Sequence, residues 1–376
     1  MTRAQSVRVG IIGTGFSASL HVEALRSVHG VDVELAAVAS GSAEHAAEFA
    51  RNHSIPQAYA VYDDLLADPA IDVVSVCVPN ALHAEITIAA AQAGKHVICE
   101  KPLTGAFGHR GVLSDAERAR DEWNRVGSSL SEIRDALEKS GVLFMYAENW
   151  VYAPAMTKAK RLLSRSDAGI LDIRAEESHS GSHAARSRRR STAGGGALLM
   201  LGSHALGAAI HLKAFDGART GHTAARVVAV TADVTDFAGV NRGTRASYLV
   251  EDWDDVERWA NVVLRFDDDT RAVITSSFAM LGGTRNQFEV YTSESVLHGN
   301  MTPNDGLMAY SPDAHAFGDE YLHEKLETRT GWIHASPDED WIRGYPQEMQ
   351  DFMECVAQGR QPVSGFDLAS DVVDVI

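Results

Sequence analysis

The chain has 376 residues, with 34 lysines and arginines against 51 aspartates and glutamates, for a formal charge of −17. That balance argues against a nucleic-acid or anionic-membrane partner, because phosphate recognition needs a basic face. The length suits two domains with cores of their own. A hydrophobic content of 45% excludes a disordered chain, and three cysteines (Cys77, Cys99, Cys355) exclude a disulfide framework. A short polar leader enters the first strand without a signal peptide, and no apolar run of transmembrane length is evident, so a cytoplasmic protein is expected.

In chain order, Val7–Ile12 reads as a strand ending in glycines, Leu20–Val28 as a helix and Val33–Ala39 as a buried strand. Ala43–Asn52 is helical, Val73–Val78 is a nearly continuous apolar β run, Ala84–Ala93 is a helix stopped by Gly94, and His96–Cys99 is the next strand. Apolar strands alternating with helices predict a parallel sheet covered on both faces. Arg118–Val126 is a charged helical stretch between glycines, and Ser129 with Glu132 has the capping-box spacing that would start another helix. Val142–Ala147 is one more strand. After Pro154, helix Ala155–Leu163 precedes the strand-like segments Leu171–Glu177, Arg226–Thr231, Asn261–Phe266, Ala272–Ser276 and Phe288–Tyr291. Asp267–Thr270 is a polar turn that predicts a hairpin. The chain is therefore expected to be α/β over residues 1–150 and α+β, with an open, mostly antiparallel sheet, over 151–376. Arg186–Arg190, with four arginines, is a solvated loop or an anion-contacting lid.

Gly13-Thr14-Gly15-Phe16-Ser17-Ala18 fits G-x-G-x-x-G/A after a strand and at the start of a helix. Gly13 permits the tight turn, Gly15 the approach of a pyrophosphate, and Ala18 close helix–strand packing. The free N–H groups of the helix start then hold the anion. Gly13, Thr14, Gly15, Phe16 and Ser17 are thus cofactor-binding candidates in a Rossmann domain. The second strand ends Val38-Ala39-Ser40-Gly41-Ser42, without the acidic residue of a strict NAD site. Ser40 and Ser42 can serve a 2′-phosphate or a hydroxyl, so the expectation is NAD(P), with NADP favoured.

Glu100-Lys101-Pro102 closes a parallel strand, where ligands of open α/β sheets bind. A lysine there can exchange a proton with a hydroxyl or carbonyl, and Glu100, counted among the cofactor-binding candidates, can orient it. Further on, Gly194-Gly195-Gly196 leads into a helix that places Met200 and His204 on one face. His204 can act as a base towards a substrate hydroxyl, or be an ordinary helix histidine. His179 and His183 follow a strand, as a polar substrate pocket or a solvated loop. A metal site on His179, His183 and His204 lacks supporting cysteine or carboxylate spacing, and no metal is expected. Trp332, His334 and Tyr345 come from a polar segment that either closes over a site or packs as ordinary surface.

These motifs together resemble the Gfo/Idh/MocA family (glucose–fructose oxidoreductase, inositol dehydrogenase and related proteins). The resemblance rests on Gly10-Ile11-Ile12-Gly13-Thr14-Gly15, on Val76-Cys77-Val78-Pro79-Asn80-Ala81-Leu82-His83, on Gly94 through Pro102, and on the glycine-run helix with His204. It implies a Rossmann domain plus an α+β domain that often pairs sheet to sheet, here as a homodimer or homotetramer. It implies Lys101 as catalytic residue, and Pro79, Asn80 and His83 near the cofactor. Glu148, Asn149, Trp150 and Tyr152 match a family segment at the domain junction, which makes Asn149 and Tyr152 substrate candidates. The implied activity is NAD(P)-dependent hydride transfer at a carbinol or carbonyl carbon of a sugar, cyclitol or related polyol. Met200 stands where the family commonly has aspartate. That departure leaves open a cofactor-retaining elimination or epimerisation, and a non-catalytic dinucleotide sensor. Against the family pattern Gly105–Gly127 reads as an insertion.

Overall fold

The computed structural model describes residues 6–108, 115–182, 184–221, 223–240, 243, 246–302 and 307–376. The chain packs as two units: Met1–Asn149 with Gly344–Asp374, and Trp150–Arg343 with Val375–Ile376.

The first unit alternates β1 (Val7–Ile12), α1 (Phe16–Arg26), β2 (Val33–Ala39), α2 (Ala43–Asn52), β3 (Gln57–Tyr59), α3 (Tyr62–Ala67), β4 (Val73–Val76), α4 (His83–Gln92), β5 (His96–Glu100), α5 (Asp115–Ser140) and β6 (Phe144–Ala147). The strands pair in parallel in the order β3-β2-β1-β4-β5-β6. The central strands are buried on both faces, which is why β4 reads as an unbroken apolar run in place of an alternating one. Strand order reverses between β1 and β4, so the loops leaving those strands diverge and open a crevice at their carboxyl ends.

Two sequence expectations change here. Gly127 does not end a helix: α5 runs through it, and the proposed capping box is unused. Ser128 and Ser131 instead donate to the carbonyls of Asn124 and Gly127 one turn back, and Ser129 Oγ lies 3.0 Å from Thr104 Oγ1. A lone helical glycine costs only about 1 kcal/mol, which the packing of Leu130, Ile133 and Leu137 on the core offsets. Residues 109–114 of the expected insertion lie outside the described residues.

The second unit contains α6 (Pro154–Leu163), β7 (Ile170–Ser178), α7 (Arg190–Ala193), α8 (Ser203–Thr220), β8 (Val227–Thr235), β9 (Trp259–Phe266), β10 (Arg271–Ser277), β11 (Arg285–Thr292), β12 (Val296–Asn300), β13 (Met308–Ser311), β14 (Gly331–His334) and α9 (Glu339–Arg343). Its large sheet has the order β12-β11-β7-β10-β9-β8, antiparallel except for the β7–β10 pair. The Asp267–Thr270 hairpin forms, with Phe266 and Thr270 joined by a 3.1 Å backbone bond. Residues 190–220 are long and apolar enough to cross a membrane, which the sequence reading did not register. However, 89% of the most apolar window is buried: α8 lies against β7 and β10 as the core helix of its unit.

The last segment was expected with the second domain. Instead α10 (Tyr345–Gln358) and α11 (Phe366–Val375) complete the first unit. The apolar face of α10 (Met349, Phe352, Met353) is wholly buried, and α10 packs on α1 and β1. Gln350 exchanges two hydrogen bonds with the backbone of His29 at 2.8 and 2.9 Å. Ala369 and Val373 of α11 join the core formed by α5 and β6. Each fully buried side chain of this size contributes about 1.5–3 kcal/mol, and that burial draws the segment back.

Candidate functional site

In the first unit, the expected site residues sit at the carboxyl ends of β1, β2, β4 and β5. Gly13 has φ +114°, and a Cβ there would stand 2.1 Å from the carbonyl oxygen of Cys77. Its N–H donates to Ala39 O at 2.8 Å, and Cys77 N–H donates to Ile12 O at 2.8 Å, so three strand ends are stitched around this glycine. After Gly15, α1 starts with no side-chain cap and no acidic residue in its first turn. Its leading N–H groups are therefore left for an anion. Phe16 is 63% exposed and Ser17 half-buried beside them. Thr14 Oγ1 lies 3.4 Å from Ser40 Oγ, which joins the glycine turn to the end of β2. Ser42, weighed as a second ribose contact, is instead the N-cap of α2, accepting from His45 N–H at 3.3 Å.

Pro79 leads into a single 3-10 turn, Asn80–Leu82, and both Pro79 and Asn80 are half-buried. His83 is buried, with Nδ1 2.7 Å from Pro102 O and Nε2 2.9 Å from Val78 O. Burial lowers its pKa. The neutral ring has one N–H to donate to either of these two carbonyls, so His83 sits as a bridge between the turn after β4 and the turn after β5.

Glu100 directs its carboxylate inwards. Oε1 lies 3.1 Å from Nε2 of the buried His21, and Oε2 accepts the Lys101 backbone N–H at 3.0 Å. Burial alone would raise this carboxyl, but the hydrogen bond and charge of His21, followed by Lys101, hold it at about 2. Glu100 thus holds the Lys101 peptide and is spent within the protein, not offered to a cofactor. Lys101 is half-buried, and the Lys101–Pro102 bond is cis. Asn149 is buried at the end of this unit.

In the second unit, the glycine run is shaped by Glu257, which sequence reasoning missed. Its carboxylate accepts from Gly196 N–H at 2.9 Å and Leu198 N–H at 3.0 Å, and a Cβ on Gly196 would meet Glu257 O at 1.8 Å. The next turn, Leu198–Gly202, is π-helical, so Met200 and His204 are not in a regular i,i+4 register. His204 is buried, its ring stacked on Trp150 (centroids 5.9 Å, 8°), with Nε2 4.0 Å from Glu177 Oε2. Glu177, also missed, is the carboxylate that lies beside His204. Its only sequence signal was its place at the end of a strand two residues before His179.

Met200 is half-buried and packs with Ala197, Leu201, Phe278 and Trp253. Phe278 stacks on Trp253 (4.6 Å, 24°) and meets His179 at 5.2 Å. His179 Nδ1 accepts Gly181 N–H at 2.9 Å. Tyr152 is buried, and His183 lies outside the described residues. The arginine run pairs with its own unit: Arg188 lies 3.7 Å from Asp252, Arg189 lies 3.7 Å from Asp254, and the Arg190 backbone N–H donates to Asp255 at 2.7 Å. Trp332 and His334 lie exposed on β14, with Trp332 against Tyr310 (5.5 Å), whereas Tyr345 opens α10 in the first unit.

Comparison with known proteins accords with this geometry. A family model described as an oxidoreductase family with NAD-binding Rossmann fold (GFO_IDH_MocA) matches residues 7–126, and the GFO/IDH/MocA C-terminal domain matches residues 156–298. The chain is 33% identical over 177 residues to levoglucosan dehydrogenase of Pseudarthrobacter phenanthrenivorans, covering 45% of this chain and 40% of that protein. It is 31% identical over 244 residues to D-xylose 1-dehydrogenase (NADP(+)) 2 of Haloferax volcanii, covering 64% and 65%. The chain thus spans about half the length of the curated relatives it matches. Among solved structures, GenD2 from gentamicin A biosynthesis in complex with NAD is similar in fold (TM-score 0.78, 24% identity, 99% of this chain and 92% of that one). So is levoglucosan dehydrogenase in complex with NADH (TM-score 0.73, 23% identity, 98% and 94%).

Proposed function

The chain belongs to the Gfo/Idh/MocA oxidoreductase family, and from that premise we propose that it is an NAD(P)-dependent dehydrogenase acting on a CH–OH group of a sugar, cyclitol or related polyol. The observation that carries the reading is the pairing, in one unit, of a side-chain-free cradle at Gly13 with a lysine turn at the end of β5. The cradle fits a dinucleotide: a Cβ would fill it, and the uncapped start of α1 offers N–H groups to a pyrophosphate. Gly13, Thr14, Gly15, Phe16 and Ser17 would hold the phosphates, Ser40 the adenosine ribose, and Pro79 and Asn80 the far end. When bound, the coenzyme supplies a nicotinamide carbon that accepts or donates hydride.

Lys101 exchanges the proton of the substrate oxygen through its ammonium group. His204 assists as a base, its imidazolium stabilised by Glu177 at 4.0 Å. Asn149, Tyr152, His179 and His183 are the substrate-binding candidates, and the names of the similar proteins (levoglucosan, xylose, dihydrodiol) favour a polyhydroxylated ring. The outer face of the second unit's sheet, with half-exposed Trp259, Val263 and Val273, supports a homodimer or homotetramer paired through that sheet. Light scattering after gel filtration tests this. We place the protein in the cytoplasm.

Lys101→Ala tests the activity. Coenzyme affinity within about threefold of wild type and turnover on a polyol panel lowered by about 10²–10⁴ are expected. Undiminished turnover with coenzyme bound would refute the role.

A further inference from the structure

His21 lies in α1 and is 0% exposed. Its Nδ1 is 2.7 Å from Ser75 Oγ on β4 and its Nε2 is 3.1 Å from Glu100 Oε1 on β5. Glu100 Oε2 in turn accepts the backbone N–H of Lys101. The hydroxyl, imidazole, carboxylate and peptide N–H form one chain through the interior, from the strand beside β1 to the lysine turn. We propose that His21 is a positioning residue for Lys101, acting through Glu100. The inference rests on the role of Lys101 proposed above.

Other groups face His21 from the elements packed around it. Cys77 Sγ lies 3.5 Å from His21 Nδ1 and from Ser75 Oγ. Glu348, from α10, is wholly buried with neither carboxylate oxygen hydrogen-bonded. Burial pushes the Glu348 carboxyl well up against the opposing effect of His21, and Glu100 and Glu148 add to the rise. Burial would lower the His21 imidazole, but Cys77 and Glu100 outweigh it and raise it well above its ordinary value. Of the carboxylates around His21, Glu100 is the one that pairs with it, at 3.1 Å. Removing the imidazole leaves a buried carboxylate uncompensated; it must take up a proton or turn away, and either loosens its hold on the Lys101 peptide.

The test is amide hydrogen exchange in the full chain. Asparagine is too short to reach Glu100, so His21→Asn should speed exchange of the Lys101 amide at least tenfold while Ile98 and Cys99 in β5 keep their protection. His21→Gln, whose amide can donate to Glu100, should restore the Lys101 amide to within about threefold. On a turned-over polyol, His21→Asn should lower kcat with KM unchanged. Unchanged Lys101 exchange in folded His21→Asn, or exchange rising equally along β1, β4 and β5, would overturn the inference. Should that variant not fold, Ser75→Ala decides, with faster Lys101 exchange expected and an unchanged rate refuting. Titration of NADH and NADPH runs in parallel. Wild type that binds neither coenzyme would defeat the proposed activity while leaving the amide result standing on its own.

Discussion

Gly13→Ala isolates the feature on which the coenzyme reading depends. The backbone at φ +114° is open to glycine and strained for any L side chain, at about 1–2 kcal/mol. The added methyl would also stand 2.1 Å from Cys77 O and 2.7 Å from Cys77 C, both backbone atoms held by the β1–β4 pairing. Relieving such an overlap costs about 1–3 kcal/mol more. The expected loss is therefore about 2–5 kcal/mol, or roughly 5–15 °C in the unfolding midpoint of the first unit. Gly30→Ala is the control: φ there is +76°, but no atom lies within 4 Å of the new methyl, so only the backbone strain of about 1 kcal/mol applies. Calorimetric unfolding of both variants, with coenzyme titration by fluorescence, measures the difference. A Gly13→Ala protein no less stable than Gly30→Ala, with coenzyme affinity intact, would refute the argument that backbone proximity shapes this turn.

Ser40→Asp should shift coenzyme preference towards NAD, because a carboxylate repels a 2′-phosphate and accepts from a 2′-hydroxyl; an unchanged NAD-to-NADP ratio of Kd values would exclude Ser40 as selector. Glu177→Ala should lower turnover roughly 10–100-fold without altering coenzyme affinity, by removing the charge beside His204; equal turnover would disconnect the two. Glu100 contributes stability that is present above its ordinary value of 4.5 and is lost as pH falls through about 2. The difference corresponds to about 3 kcal/mol, so urea midpoints of wild type should fall between pH 4.5 and 2 more steeply than those of Glu100→Gln; parallel curves would contradict the ion pair.

Local signals made much of the fold legible. The run Val7–Ile12, the glycine turn and the Asp267–Thr270 hairpin each depend on residues adjacent in sequence. What escaped depends on partners far along the chain. Glu257 caps the glycine-run helix from about sixty residues away, and Glu177 reaches His204 across a strand–helix contact. The capping role of Ser42 escaped because one hydroxyl can serve a ribose or a helix start, and only the position of α2 shows the second. Gly127 was read as a break because its intrinsic cost is local, while the packing that overrides it comes from α4 and α11. The Met200–His204 register failed because a π turn leaves no mark in the hydrophobic pattern.

The return of residues 344–374 to the first unit has a consequence for synthesis. A ribosome delivers α1, β1 and β6 early, but the helices that cover them emerge only after the whole second unit has been made. The nascent first half must wait with apolar surface bare while the contiguous second half is able to close, which reverses the usual N-to-C order of maturation. Translation arrested before Gly344 would thus release a species whose finished part is its C-terminal half, and whose N-terminal half is the natural client of a holdase.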